Sequence, residues 1–136
     1  LGSIGGIVGQ LGAEDNGLQF STVTECYNSG NIIRIGTNED SGNFGGIVGA
    51  ITAKGREDII SKCYSKGKME NCENDVGAIL GFDFNTEKKA KLSSLYYLNT
   101  VGIGAIGGTD DEANKVQSVE TDIKTYEEFI EWIKDK

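Results

Sequence analysis

Short apolar stretches alternate with glycine- and asparagine-rich turns over the first 98 residues. Residues 5–9 read Gly-Gly-Ile-Val-Gly, residues 45–49 repeat that sequence, and residues 77–81 follow as Gly-Ala-Ile-Leu-Gly. The β-branched residues favour strands, whereas each glycine inside a helix would cost about 1 kcal/mol relative to alanine. The pattern therefore predicts an internal repeat built from β-strands and argues against helical repeats.

A second motif, cysteine or tyrosine followed by tyrosine, comes after each glycine stretch, at residues 26–27, 63–64 and 96–97. A unit of this length cannot bury its apolar face alone, so it stacks on its neighbours. With three strand-like pieces per unit, we expect an all-β fold, a parallel β-helix (β-solenoid) of about three turns. Up-and-down antiparallel sheets stay open as an alternative, since residues 28–31 and 66–67 look like hairpin turns.

Alternation along the second motif assigns a direction to its side chains. If the charged Glu25 and Lys62 face water, every second side chain faces the same way. The inward column would then be Cys26, Cys63 and Tyr96, and the outward column Tyr27, Tyr64 and Tyr97. Exposed aromatic rings on a rigid surface suit sugar rings or a partner protein, so the outward column is a candidate ligand-binding surface. The alternative is a ladder that only stabilises the sheet.

The pattern changes after residue 98. Residues 101–109 are rich in glycine, and residues 125–134 carry apolar side chains at the spacing of an amphipathic helix. Thr125 and Glu128 have the spacing of a capping box. We expect residues 1–98 to form the repeats and residues 99–136 to form a loop and a C-terminal capping α-helix over the open end of the stack. We expect them to form one domain and to be a fragment of a longer chain.

Composition limits the classes of function that the chain can have. The formal net charge of −8 argues against nucleic acid and anionic membrane surfaces, and no apolar run is long enough for membrane insertion. The absence of histidine excludes a His-dependent triad, a His-Glu zinc site and an imidazole base. A carboxylate pair remains as a catalytic route, but no spacing among the 21 acidic residues singles one out. We expect no enzyme activity and no cofactor.

The three cysteines cannot all pair. Inward positions one turn apart favour free, buried thiols at Cys26 and Cys63 over a disulfide between them, and Cys72 is a further core candidate.

Two other patterns are weaker. Residues 102–107 match Gly-x-Gly-x-x-Gly, yet the sequence predicts no helix starting there, as a dinucleotide site would need. The acidic turns at residues 14–17, 38–42 and 110–112 offer oxygen ligands for calcium, but they match no EF-hand loop and read better as solvated turns.

The glycine stretch followed by Glu-Cys-Tyr-Asn-Ser-Gly-Asn-Ile at residues 25–32, and again by Lys-Cys-Tyr-Ser-Lys-Gly-Lys-Met at residues 62–69, resembles the GLUG-motif repeat family. These repeats occur in large secreted or wall-anchored bacterial proteins, including adhesin-like proteins and immunoglobulin A-cleaving metallopeptidases. The resemblance covers residues 4–98 most strongly. The third copy departs from it, since Ala78 replaces the second glycine and Tyr96 replaces the cysteine.

The resemblance implies an extracellular or cell-surface location on a bacterium and a non-enzymatic module that serves as a stalk or adhesive surface. Its partners would be neighbouring repeats or domains of the parent chain, and glycans or a host surface protein. Two alternatives stay open: a dedicated carbohydrate- or host-protein-binding module, and an accessory segment of a secreted hydrolase or peptidase. The resemblance places no catalytic residue in the repeats.

Overall fold

The computed structural model describes residues 2–12, 20–35, 42–52, 57–85, 89–101, 103–107 and 115–136. These residues form mainly β-strands, with one short 3-10 helix at Asn99–Val101 and one α-helix near the carboxyl end. The strands are β1 (Ser3–Gly5), β2 (Val8–Leu11), β3 (Thr22–Thr24), β4 (Tyr27–Asn28), β5 (Ile32–Ile33), β6 (Gly42–Gly45), β7 (Val48–Ile51), β8 (Ile59–Ser65), β9 (Met69–Glu70), β10 (Asn74–Gly77), β11 (Leu80–Asp83), β12 (Lys91–Leu98) and β13 (Val116–Val119). The α-helix, α1, is Tyr126–Ile133.

Strands from successive copies of the repeat pair with each other. We define the first copy as residues 2–35, the second as residues 42–72 and the third as residues 74–98. The first sheet is β1-β6-β10 and the second is β2-β7-β11; the third runs from β3 and β4 through β8 and β12 to β13, and the fourth is β5-β9. Every strand pairing in the described residues is parallel. The antiparallel alternative is therefore wrong, because hairpin-linked neighbours would run in opposite directions.

The register places equivalent residues of the copies side by side. Gly5 lies opposite Gly45, and Gly45 lies opposite Gly77. Val48 likewise pairs with both Val8 and Leu80. The repeat seen in the sequence is thus a repeat of backbone position, and matching side chains form columns that run from copy to copy.

Each glycine stretch bends the chain between two strands. In the second copy, β6 ends at Gly45 and β7 starts at Val48, so the glycine stretch separates two strands. A Cβ atom at Gly45 would lie 1.7 Å from the carbonyl oxygen of Val48. One at Gly46 would lie 2.0 Å from the carbonyl oxygen of Ala78 in the next copy. The paired glycines therefore allow both the tight bend and the close approach of neighbouring copies.

Apolar columns fill the interior. The column of Val48 and Leu80 is fully buried, and it continues to Ile106, which bridges to Leu80. Another column contains Ile60 and Leu92, paired across β8 and β12. These columns belong to one hydrophobic cluster, which we call the main core.

The paired strands continue past residue 98. β13 pairs with β12, and the amide of Gly107 donates to the carbonyl of Leu80 (2.9 Å). Residues 103–107 thus lie against the third copy as a partial fourth copy, and no helix begins within these described residues. This continuation was not predicted from the sequence, because Ile103 stands where each earlier copy has its first glycine. The division of one domain into repeats (residues 1–98) and a C-terminal loop and helix (residues 99–136) stays a prediction.

Ala78 accounts for a local change in hydrogen bonding. The amides of Gly6 and Gly46 donate to Gly45 and Gly77, which open the glycine stretch of the next copy. The amide of Ala78 instead donates to Gly104 (2.8 Å), one residue further along than that pattern gives. The next amide, that of Ile79, donates to Ala105 (3.1 Å) as Ile47 donates to Ile79, so the change is confined to position 78.

Replacing Gly45 with alanine tests the role of the glycine bend. We expect Gly45→Ala to lower the free energy of unfolding by about 3 kcal/mol, because the methyl group meets the backbone carbonyl of Val48. The measurement is urea unfolding followed by circular dichroism. Gly104→Ala is the matched control, since a Cβ there meets nothing within 4 Å. Equal stability of the two variants would contradict the prediction.

Candidate functional site: the tyrosine column

The register corrects the predicted alignment of the third copy. Tyr96 pairs with Tyr64, and Leu95, not Tyr96, takes the position of Cys63. Tyr97 lies opposite Ser65. Because Tyr64 also pairs with Tyr27, the observed column is Tyr27, Tyr64 and Tyr96, which we call the tyrosine column. The adjacent pair Tyr96-Tyr97 fits the motif equally well in two registers, so no signal in the sequence could identify the right one.

The predicted direction of the tyrosines is also wrong. In each copy, the residue directly before the cysteine position adopts a left-handed backbone conformation, with φ of 54° at Glu25, 51° at Lys62 and 51° at Ser94. A left-handed residue interrupts the two-residue alternation of a strand, so the next two side chains need not point to opposite faces of one sheet. Consequently Cys63 and Tyr64 are both fully buried, in different clusters. Glu25 and Lys62 are exposed, as expected.

The tyrosine column is covered by the C-terminal helix. The ring of Tyr27 stacks on that of Tyr64 (centroids 5.8 Å apart, planes 9° apart) and on that of Phe129 (5.8 Å). Trp132 meets Tyr64 and Tyr96 edge to face, at 6.0 and 4.9 Å. Side chains of α1 thus contact tyrosines from all three copies. The helix was expected over the open end of the stack; it lies instead along its side.

The tyrosine hydroxyls bind the segment that leads into α1. The hydroxyl of Tyr64 donates to the carbonyl of Thr121 (2.9 Å) and accepts from the amide of Ile123 (3.3 Å). The hydroxyl of Tyr27 donates to the carbonyl of Ile123 (2.8 Å). Burial raises the pKa of the Tyr64 hydroxyl, which keeps it protonated and able to donate. The column thus provides hydrogen bonds as well as packing area.

An ion pair flanks these hydrogen bonds. Lys66 Nζ lies 2.8 Å from a carboxylate oxygen of Asp122. The lysines beside it, Lys124 and then Lys66, lower the pKa of the Asp122 carboxyl, and the hydrogen bond to Asp122 raises the pKa of Lys66. Both groups therefore stay charged at neutral pH. They line a shallow, open polar groove with Ser29, Asn31, Lys68, Glu70, Leu98 and Thr100.

The N-terminus of α1 is capped much as predicted. Thr125 is the N-cap, and its hydroxyl oxygen accepts from the amide of Glu128 (3.1 Å). The carboxylate of Glu128 reaches back to the amide of Lys124 (2.9 Å), one residue before the N-cap. In an ideal capping box it would accept from Thr125 itself. The cap fixes where α1 begins, directly after the segment that the tyrosine hydroxyls bind.

The cysteines are free thiols, as predicted, and Cys63 is buried in the main core. Cys26 and Cys72, which the sequence also placed in the core, are half-buried. The Cys63 thiol donates to the carbonyl of Ser61 (3.2 Å), and the Cys26 thiol donates to the carbonyl of Thr24 (3.3 Å). The neighbouring Cys63 thiol lowers the pKa of Cys26, whereas Cys26 and burial raise the pKa of Cys63. Burial raises the pKa of Cys72. The two cysteines of neighbouring copies therefore differ in acidity although they occupy equivalent positions.

No group of three or more carboxylate and cysteine side chains close enough to hold a metal ion occurs in the part of the chain that the structure describes. The acidic turns proposed for calcium lie outside the described residues, except for Gly42. Within the described ranges no helix has the length and apolar character needed to cross a membrane.

Comparison with known proteins gives no match: no family model, no curated protein and no solved structure is similar to this chain.

Replacing Tyr64 with phenylalanine tests the hydrogen bonds of the tyrosine column. We expect Tyr64→Phe to lower the free energy of unfolding by about 1–2 kcal/mol, because a buried carbonyl and amide lose their partner. Thermal unfolding by calorimetry measures the change. Tyr126→Phe serves as control, since Tyr126 lies on the exposed face of α1. The role assigned to the hydroxyl would be refuted by a loss no larger than that of the control.

Alkylation as a function of pH tests the two cysteine environments. We expect iodoacetamide to modify Cys26 with a midpoint below the ordinary thiol value of 9.0, because the neighbouring Cys63 thiol lowers the pKa of Cys26. Cys63→Ala should move that midpoint upward, toward the ordinary value. Peptide mass mapping assigns the sites, and Cys72 in the same sample is the internal control, with a higher midpoint. If Cys26 and Cys72 titrate together, Cys63 does not act on Cys26 as described.

Proposed function

We propose that this chain is a non-enzymatic repeat module of the GLUG type, a β-solenoid that serves as a stalk in a secreted or cell-surface bacterial protein. The observation that carries the proposal is the parallel, in-register pairing of equivalent residues in consecutive copies. A fold in which each copy contacts only its neighbours grows in length as copies are added, which suits a spacer.

The packing favours a stiff module. Backbone hydrogen bonds join the copies along several sheets, and the buried side-chain columns run in the same direction. The helix α1 adds contacts to Tyr27, Tyr64 and Tyr96, one from each copy. These contacts oppose bending between copies, because bending would separate the tyrosines from Phe129 and Trp132.

The same contacts weigh against the tyrosines as a ligand-binding surface. Tyr64 is fully buried, and Tyr27 stacks on Tyr64 and on Phe129. Trp132 meets Tyr64 and Tyr96 edge to face. A sugar ring would need a free aromatic face, and docking would require α1 to leave. We therefore favour the stalk over the adhesive surface and interpret the tyrosines as structural.

Surface display tests the proposed function. We would place the chain between a cell-wall anchor and an epitope on a bacterium, and measure antibody binding to the epitope and resistance to added protease. The unaltered chain and Gly104→Ala should keep the epitope accessible and uncut, whereas Gly45→Ala should lose both properties, because its stack is destabilised.

Binding and turnover assays on the purified chain complete this test. We expect no saturable signal on a glycan array and no hydrolysis of polysaccharide or protein substrates. Saturable glycan binding that Tyr64→Phe leaves intact would show a ligand-binding module elsewhere on the surface. Hydrolysis abolished by a single carboxylate substitution would show an enzyme. Either result would overturn the proposal.

A further inference from the structure

We infer that the outer edge of the first copy is a docking edge for one more copy of the same repeat, carried ahead of it on the same polypeptide. The inference rests on the proposed function, since it names the partner that such a module stacks against. Equivalent positions in the first and second copies differ in burial and in crowding, and these differences point to the docking edge.

Apolar side chains of the first copy are exposed where their equivalents are buried. Ile7 is 46% exposed, whereas Ile47 and Ile79, which follow the glycines of the second and third copies, are fully buried. Ile4 is 45% exposed, and its partner Phe44 is 3% exposed. The second copy buries both positions because it has a neighbour on each side, whereas Val76, the partner of Phe44 in the third copy, is half-buried. The first copy also has apolar side chains at these positions. Among the described residues, however, it has a neighbouring copy on one side only.

Three glycines of the first copy are less crowded than their equivalents in the second copy. In the second copy, Cβ atoms at Gly42, Gly49 and Gly67 would lie 2.7, 2.4 and 1.9 Å from backbone carbonyl oxygens of the first copy. Those carbonyls belong to the equivalent residues Gly2, Gly9 and Gly30.

At Gly2 itself a Cβ would meet nothing within 4 Å, at Gly30 the nearest atom would be 3.5 Å away, and at Gly9 a single carbonyl would lie at 2.9 Å. The first copy thus carries glycines at the places that a preceding copy's carbonyls would crowd, although nothing described here lies so close to them. A preceding copy would give these glycines the same contacts that the first copy gives to the second.

The backbone of the first copy also offers acceptors in the matching places. The amide of Gly6 donates to the carbonyl of Gly45, and the amides of Ile7 and Val8 both donate to the carbonyl of Ile47. The equivalent carbonyls in the first copy are those of Gly5 and Ile7. By the same register they face a preceding copy, so an added strand pair would find its hydrogen-bond acceptors already in position.

The opposite end of the stack is built differently. Ile103 occupies the position of Gly77, at which a Cβ would lie 2.0 Å from the carbonyl of Leu80. The partial fourth copy therefore cannot form the same bend, and head-to-tail stacking of a second molecule would not reproduce the contact between copies. This difference favours an added copy on the first-copy edge, within one polypeptide.

The test extends the chain by one copy. Residues 42–72 followed by residues 36–41 are placed directly before Gly2, which repeats the spacing between the first and second copies. In the second copy the amides of Asn43, Thr52, Ile59 and Tyr64 donate to carbonyls of the first copy, at 3.3, 3.0, 2.9 and 2.9 Å. We expect the equivalent amides, Ser3, Gly12, Thr22 and Tyr27, to exchange with deuterium at least about tenfold more slowly in the extended chain than in the present one.

Gly30→Ala provides the matched variant. In the present chain its Cβ would come no closer than 3.5 Å to another atom, an ordinary contact with the side chain of Asn28, so stability should change little. In the extended chain it would also meet a carbonyl of the added copy, as a Cβ at Gly67 would meet that of Gly30 at 1.9 Å, and the protection of those four amides should disappear.

Three outcomes would overturn the inference: exchange at these amides that the extension leaves unchanged, an equal effect of Gly30→Ala in both chains, and protection that depends on protein concentration, which would mean pairing between molecules. None of these results bears on epitope accessibility in the display assay, so the failure of the docking edge can be told apart from the failure of the proposed function.

Discussion

The close approach of backbones at the glycine stretches is the constraint on which the rest of the structure depends. At Gly45 and Gly46 the space of a missing Cβ is occupied by carbonyl oxygens, one from the same copy and one from the next. Copies can therefore meet in one register only, with glycine beside glycine. Once that register is fixed, the columns of Val48 and Leu80 and of Ile60 and Leu92 follow from it, because parallel pairing aligns equivalent residues.

A second constraint acts on side chains. The left-handed residue at positions 25, 62 and 94 turns the chain within the third sheet, so that neighbouring residues enter separate clusters. Cys63 joins the main core, and Tyr64 joins the aromatic cluster under α1. Glutamate, lysine and serine at these three positions lack glycine's freedom at positive φ, so tertiary packing must hold them there. The tyrosine column exists because this local exception is repeated in each copy.

Much of the fold could be predicted from the sequence, because its signals are local. The repeat follows from identical glycine stretches, the strands from β-branched residues between glycines, and α1 from its apolar spacing and the cap at Thr125. The direction of Tyr64 could not be predicted, because alternation presumes regular strand geometry and Lys62 departs from it. The register of Tyr96 could not be predicted either, since two adjacent tyrosines fit the motif equally. The partial fourth copy was missed because Ile103 hides the pattern that identifies the others.

The position of α1 bears on how the module would come apart under force. In a stack where each copy touches only its neighbours, tension on one end can peel the copies away one at a time. Here Phe129 and Trp132 contact rings from three copies, and the hydroxyls of Tyr27 and Tyr64 hold residues 121–123. A pull on the carboxyl end must first strip the helix from the whole column. We therefore expect the three copies to separate together in one step once α1 has been removed, and not one at a time.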